Sequence, residues 1–250
     1  FTSISEKMSP HDLVVLLNEY LTEMTGMVLE EDGIIDKFEG DGIMAEFGVP
    51  IPIDDHADRS VMSGIKMQRR LAVLRKQWAQ RGLPELTCRV GINSGKMIVG
   101  NMGSDQVFNY TVMGDAVNLA SRLEGANKFY GTDIMISEYT FNRLTPNRFR
   151  TRVLDVIKVT GKTQAVKVYE VYGEQAEQFQ PDKLKYYNLY QNAFEAYLNK
   201  NFSEALEGFN EALLLSPNDL AASEMIRRID AIPVESLSDD WDGSIALTSK

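Results

Sequence analysis

The stretch IIDKFEGDGIMAEF, residues 34–47, decides how the chain is read. Two short apolar runs, Ile34-Ile35 and Ile43-Met44, flank a centre carrying Asp36, Lys37, Glu39 and Asp41. Asp-Gly between alternating apolar residues is among the strongest short-range signals for a β-hairpin, so strands are predicted near 33–38 and 43–48. The alternation breaks at Asp36-Lys37 and resumes at Phe38. Taken alone, Asp41 reads as a turn residue and Lys37 as a solvent-facing strand position. The functional counter-reading makes Asp41 a rigidly held carboxylate ligand for a hard cation.

Outward from the hairpin, Ser9-Pro10 is an N-cap followed by a residue favoured at the first helical position. Leu13, Leu16, Leu17, Tyr20, Leu21, Met24 and Met27 then recur at helical spacing, predicting a helix over 9–29. A second helix is expected over about 55–80, with Val61, Ile65, Met67, Leu71 and Leu74 on its buried face. LTCRVGINSGKMIVGN, residues 86–101, reads as strand, turn, strand. A third helix is expected from about Asp115 to Lys128, buried through Val117, Ala120 and Leu123, with DIMIS as a short strand after it. A helical stretch near 137–144 and two strands around the Thr160-Gly161-Lys162 turn complete the order. The order is that of an α+β fold with a ferredoxin-like βαββαβ core and additional elements.

The character changes after Gly173. Residues 174–183 are polar, contain Pro181 and read as a linker. Over 186–219, Ala193, Ala205, Phe209, Ala212 and Pro217 fit one tetratricopeptide-like repeat, a helical hairpin within a helical region at 184–231. One repeat cannot bury its own face, so it is expected to pack on a neighbour. The acidic, Ser-rich end at 232–250 is expected to be disordered.

Composition narrows the chemistry. The 250 residues are 44% hydrophobic and 25% charged, ordinary for a globular chain, and the net charge of −10 argues against a dedicated nucleic-acid binder. No apolar run reaches membrane-spanning length, and the N-terminus lacks signal-peptide features, which points to a cytoplasmic location. The chain begins without Met and reads as an excised segment. One cysteine, Cys88, and two histidines, His11 and His56, leave no material for a zinc cage. A metal here would sit on carboxylates, which suit Mg2+, Mn2+ or Ca2+.

Asn118 and Arg122 are four apart on the third helix and therefore point the same way, an amide beside a guanidinium that could clamp a phosphate. Each of these elements has an ordinary structural explanation alone. Together, KFEGDGIMAEFG, RVGINSGKMIVGNMG and YTVMGDAVNLASRLE, in this order, resemble the class III nucleotidyl cyclase catalytic domain over residues 1 to about 173. The pattern looks closest to cyanobacterial, bicarbonate-responsive adenylyl cyclases. The resemblance implies attack of the ATP ribose 3′-hydroxyl on the α-phosphorus with release of pyrophosphate, assisted by two divalent cations.

Residue by residue, the resemblance implies that Asp41 is the second metal aspartate. The first would precede Phe1. Phe1 and Thr2 match positions whose backbone N–H groups hold the terminal phosphates. Lys37 matches the lysine that donates to adenine N1, and Thr111 the partner that contacts the adenine amino group, with Thr marking the bicarbonate-stimulated subclass. Asn118 matches the ribose-orienting residue and Arg122 the one that stabilises the transition state. Thr160 stands where relatives carry a triphosphate-binding lysine, so Lys162, with Lys158 as the other candidate, is expected to take that part. The metal and base-reading sets come from opposite subunits in this family, which implies a head-to-tail homodimer.

Three other readings stay open at this level. One is a catalytically degenerate cyclase domain that binds nucleotide and regulates a partner, which the missing first aspartate would suit. Another is a diguanylate-cyclase-like domain, disfavoured because EGDGI stands where a GGDEF-like string would be. The third is a repeat-type interaction protein built on the C-terminal helices.

Overall fold

The computed structural model describes residues 8–159, 165–233, 237–238 and 240–247. The chain divides into two compact units: one of residues 1–88, 94–117 and 143–145, the other of 89–93, 118–142 and 146–250.

In the first unit, helix α1 (Pro10–Leu29) starts where the Ser9 side chain accepts from the Asp12 N–H at 3.2 Å. It buries Leu16, Tyr20 and Met24, which the spacing names, and Val28, which it does not. Strands β1 (Ile34–Glu39) and β2 (Gly42–Glu46) form the antiparallel hairpin. Helix α2 (His56–Gln80) follows, burying Val61, Leu71, Leu74 and Trp78. Arg70 of α2 grips Glu23 of α1 with two hydrogen bonds, at 2.6 and 2.7 Å.

The 86–101 segment holds the expected strand, turn and strand, but the two strands have different partners. Strand β3 (Val90–Ile92) does not pair with β4 (Ile98–Gly103). Instead, β4 forms an antiparallel ribbon with β5 (Phe108–Met113), a strand the sequence pattern did not signal. The reason lies in its exposure: Phe108, Tyr110 and Met113 are solvent-facing, so no buried alternation marks the strand. Cys88 is buried as expected but precedes the strand rather than lying on it.

The second unit is built on a five-stranded sheet in the order β3-β6-β8-β7-β9. Its members besides β3 are β6 (Ile134–Ser137), β7 (Phe149–Val159), β8 (Ala165–Glu174) and β9 (Ile245–Leu247). β3 and β6 are parallel, as are β7 and β9, while β8 runs antiparallel to both its neighbours. The expected βαββαβ alternation is thus present in chain order, with its strands divided between this sheet and two two-stranded ribbons.

Helix α3 (Asp115–Tyr130) joins β5 to β6, and the single turn α4 (Glu138–Phe141) follows β6. In α3 the buried residues are Leu119, Leu123, Ala126, Asn127 and Tyr130; Val117 and Ala120, expected on the buried stripe, are half-buried. Three further helices, α5 (Pro181–Leu198), α6 (Phe202–Leu215) and α7 (Leu220–Asp230), pack on the sheet rather than standing apart. Leu154, Ile157, Val166 and Val168 of the sheet share one core with Tyr190, Phe194, Tyr197, Phe209 and Met225 of the helices. The neighbour that covers the expected hairpin is therefore the sheet itself. Within residues 174–183, Glu174 ends β8, Pro181 opens α5, and 175–180 connect the two.

The tail also differs from its expected disorder in part. Trp241 meets Tyr197 and Phe202 edge-on at 5.1 and 5.6 Å, and the Tyr197 hydroxyl donates to the Gly243 carbonyl at 2.9 Å. These contacts bring Ile245 to the open edge of β7, where the backbone pairs. No helix among the described residues is long and apolar enough to cross a membrane.

Candidate active site

The residues singled out in the sequence fall in both units. In the first, the tip of the hairpin is a two-residue loop of Gly40 and Asp41, closed by the Glu39–Gly42 pair. The left-handed backbone lies at Gly40, φ +65°, and not at Asp41 as an Asp-Gly turn would have it. Asp41 is exposed at this tip, with no hydrogen bond or ion pair among the described residues. A hard carboxylate on a short, tight turn suits a divalent cation. Among the described residues no third carboxylate or imidazole joins it in a cluster.

The register of the hairpin slips between Ile35 and Lys37, so Asp36 is an extra residue in β1. This bulge is the broken alternation seen in the sequence, and bulges re-aim side chains. Here it turns Asp36 inward, its side chain only 1% exposed, while Lys37 stays 39% exposed. Lys37 Nζ donates to Thr111 Oγ1 at 3.1 Å, across from β5, and lies 3.3 Å from Asp36 Oδ1. Thr111, itself buried, donates its hydroxyl proton to Asp36 Oδ2. The structure thus brings Lys37 and Thr111 together, as expected, and adds Asp36.

A further carboxyl, Glu46 at the end of β2, closes this cluster. It is 7% exposed, and its Oε1 makes no hydrogen bond among the described residues. Burial, then the hydrogen bond and charge of Asp36, push Glu46 up to about 7. Burial would also raise Asp36, but hydrogen bonds with Thr111, Glu46 and Lys37 outweigh it and hold Asp36 below the usual carboxylate range. The cluster is therefore an acid that keeps its proton toward neutral pH behind an ionised one, with a lysine in front. Neither Asp36 nor Glu46 was expected in the site; the break in alternation was the available signal for the first.

In the second unit, Asn118 and Arg122 are both exposed and lie one turn apart on α3, with Leu119 and Leu123 buried behind them. The helix is seated on β3 at Gly91. A Cβ there would lie 2.2 Å from the Glu124 nitrogen and 2.3 Å from the Ala120 carbonyl oxygen, so only glycine permits this approach. Asn127, fully buried, donates to the Val90 and Leu123 carbonyls at 3.0 Å each and fixes the helix to the strand. Phe1, Thr2 and Lys162 lie outside the described residues; Lys158 pairs with Asp242 at 3.0 Å.

Comparison with known proteins places this arrangement. The family of adenylate and guanylate cyclase catalytic domains matches residues 1–173. The chain belongs to this class III cyclase family. An adenylate cyclase of Anabaena cylindrica is 38% identical over 177 residues, covering 68% of this chain and 34% of that protein. Adenylate cyclase 1 of Rhizobium meliloti is 36% identical over 173 residues, covering 69% of this chain and 26% of that protein. Among solved structures, the adenylyl cyclase CyaB from P. aeruginosa has a TM-score of 0.65 at 36% identity, over 71% of this chain and 91% of that one. The guanylyl cyclase Cya2 is nearly as similar, with a TM-score of 0.63 at 35% identity over 70% and 87% of the two chains. This class III cyclase domain spans about a third or less of the two curated relatives' length. Since one neighbour is an adenylyl and the other a guanylyl cyclase, overall likeness does not decide which purine is read; the residues at the base must.

Proposed function

We propose that this cyclase domain converts ATP to 3′,5′-cyclic AMP and pyrophosphate. The observation that carries the choice of purine is the Lys37–Thr111 pair, 3.1 Å apart. A lysine offers donors only, which suit the bare N1 of adenine; guanine carries a proton on N1 and would leave two donors face to face. Asn118 orients the ribose, so that its 3′-oxygen faces the α-phosphorus and the bond to the β-phosphate oxygen breaks as the new one forms. Arg122, a fixed planar cation, meets the charge that builds on the phosphate oxygens. Two divalent cations, Mg2+ with Mn2+ and Ca2+ as alternatives, would supply charge neutralisation at the phosphates, with Asp41 as one ligand.

We place this chemistry in a head-to-tail homodimer. The β4–β5 ribbon supports that reading, because apolar residues are exposed on both of its faces, Phe108 and Tyr110 on one and Ile98 and Met113 on the other. Bicarbonate stimulation belongs to the same proposal and rests on Thr111.

Turnover of ATP against GTP by the parent protein, with each of the three cations, tests the reaction. ATP is expected to be cyclised at least tenfold faster at equal concentration; GTP preference, or no turnover of either, overturns it. Adding bicarbonate at fixed pH is expected to raise the rate, and an unchanged rate removes that part. Mixing inactive Asp41→Ala and Asn118→Ala chains is expected to restore about a quarter of wild-type activity through heterodimers with one intact site. No recovery, despite proven subunit exchange, would sink the dimer.

A further inference from the structure

Lys37 and Thr111 do not by themselves explain selection, because a threonine hydroxyl can either give or take a hydrogen bond. Toward an adenine amino group it must accept; toward a guanine carbonyl oxygen it could donate equally well. The direction of the Thr111 proton is therefore a specificity element, and the structure fixes it. The hydroxyl donates to Asp36 Oδ2, inside the hairpin. Of the remaining acceptor capacity of Oγ1, one part takes the Lys37 Nζ–H at 3.1 Å and one is left for a ligand. Asp36 Oδ1 at the same time lies 3.3 Å from Lys37 Nζ, an ion pair that draws the ammonium toward Thr111 while the lysine side chain stays 39% exposed.

We propose that Asp36 is the positioning residue that sets the polarity of the base-reading pair: by taking the Thr111 proton and tethering Lys37, it presents one acceptor beside one donor. Adenine offers the complement, an amino donor beside the N1 acceptor. Guanine offers the inverse, a carbonyl acceptor beside an N1–H donor, and meets a mismatch at both positions. Three observations carry the assignment. The bulge between Ile35 and Lys37 turns Asp36 toward Thr111 rather than toward solvent. The Asp36 side chain is almost fully buried, so no water competes for its oxygens. Glu46, hydrogen-bonded to Asp36 and keeping its proton well above the usual carboxylate range, favours the ionised Asp36 that can only accept. The inference rests on the adenine reading proposed above and adds the residue that enforces it.

The test compares binding of 3′-deoxy-ATP and 3′-deoxy-GTP, which lack the attacking hydroxyl, by calorimetry on the full-length parent protein, alongside turnover of ATP and GTP. In Asp36→Asn the amide can donate to Thr111 and release its proton. The preference for the adenine nucleotide is expected to fall at least tenfold, with KM for ATP raised more than kcat is lowered. Adding Thr111→Asp to that variant restores an acceptor that needs no orienting, and the preference is expected to return to within about threefold of wild type. Equal weakening of both nucleotides in Asp36→Asn, with the preference unchanged, would show a bracing role only and overturn the proposal. A wild-type protein that binds the guanine analogue as tightly as the adenine one would instead overturn the adenine reading beneath it. Should Asp36→Asn fail to fold, the wild type decides: an exchange-protected Thr111 hydroxyl proton, lost in Thr111→Val, is expected in the NMR spectrum. Its absence overturns the assignment.

Discussion

Glu46 is the residue whose behaviour most directly reports the buried cluster. Its carboxyl is pushed from 4.5 to about 7, so the folded chain holds a proton there that the unfolded chain releases. Stability from this group is complete below pH 4.5 and declines as pH rises through 7, where Glu46 must ionise beside Asp36 and gains only the partial relief of Lys37. The full shift is worth roughly 3 kcal/mol, which solvent near the hairpin trims to about 2. Glu46→Gln is expected to flatten that slope, so urea midpoints at pH 5 and pH 8 should differ less in the variant than in the wild type; equal differences would refute it. Asp36 has the opposite sign, its contribution being lost only as pH falls below the ordinary carboxylate range. Little of this was legible beforehand. Lys37, Thr111, Asn118 and Arg122 could be named because a family motif marks them. Asp36 and Glu46 carry no such mark, and a charged residue in a strand ordinarily faces water. Only the pairing of β1 with β2, which inserts Asp36 as an extra residue, turns the irregular Asp36-Lys37 step into an inward carboxylate.

Elements were read well where burial is one-sided. The helices over 10–29 and 56–80 fall within a residue or so of their expected bounds, because the first buries one stripe and the second does so from Met67 onward, after an N-terminal half that is buried nearly all round. Strand β5 escaped because its outward residues are apolar, and the pairing of β3 with β6 is a long-range fact that no local pattern contains. Helix α3 shows how such a pairing serves the site. Its seat on Gly91 sets the height and rotation of the helix, and with them the Asn118 and Arg122 side chains. Gly91→Ala would force backbone apart, since both close atoms belong to the α3 main chain. A loss of about 3 kcal/mol is expected from such overpacking, readable as a lowered denaturation midpoint. Turnover in the folded variant should fall at least tenfold with nucleotide binding at the base little changed. A variant with wild-type stability and rate would show that the helix is seated by other contacts.

At the scale of the whole chain, the C-terminal helices and the cyclase sheet are joined by two buried ionic networks as well as by a shared core. Arg152 of β7 donates to Glu170 of β8 at 2.5 Å and to Asp219, the N-cap of α7, at 2.8 Å. Arg228 of α7 grips the fully buried Asp155 of β7 at 2.6 and 2.9 Å, and Tyr130 of α3 donates to the same carboxylate at 2.5 Å. Composition marked a boundary near residue 174 because polarity rises there. It could not show that Arg152 and Asp155, charged positions in a strand, await partners some seventy residues onward. Networks of this kind make the parts unfold together, since removing one partner leaves a charge buried without its counter-charge. Asp219→Ala is accordingly expected to cost about 3 kcal/mol, and to do so throughout the second unit. Hydrogen exchange should report it: amides of β7 and β8 should lose protection in step with those of α5, α6 and α7. If the helices were an independent repeat on a linker, only residues 181–230 would loosen and the strands would keep their wild-type protection. Arg152→Met combined with Glu170→Gln and Asp219→Ala removes all three charges of that network, and should recover most of the loss while leaving the exchange of sheet and helices coupled through Tyr190, Phe194 and Phe209.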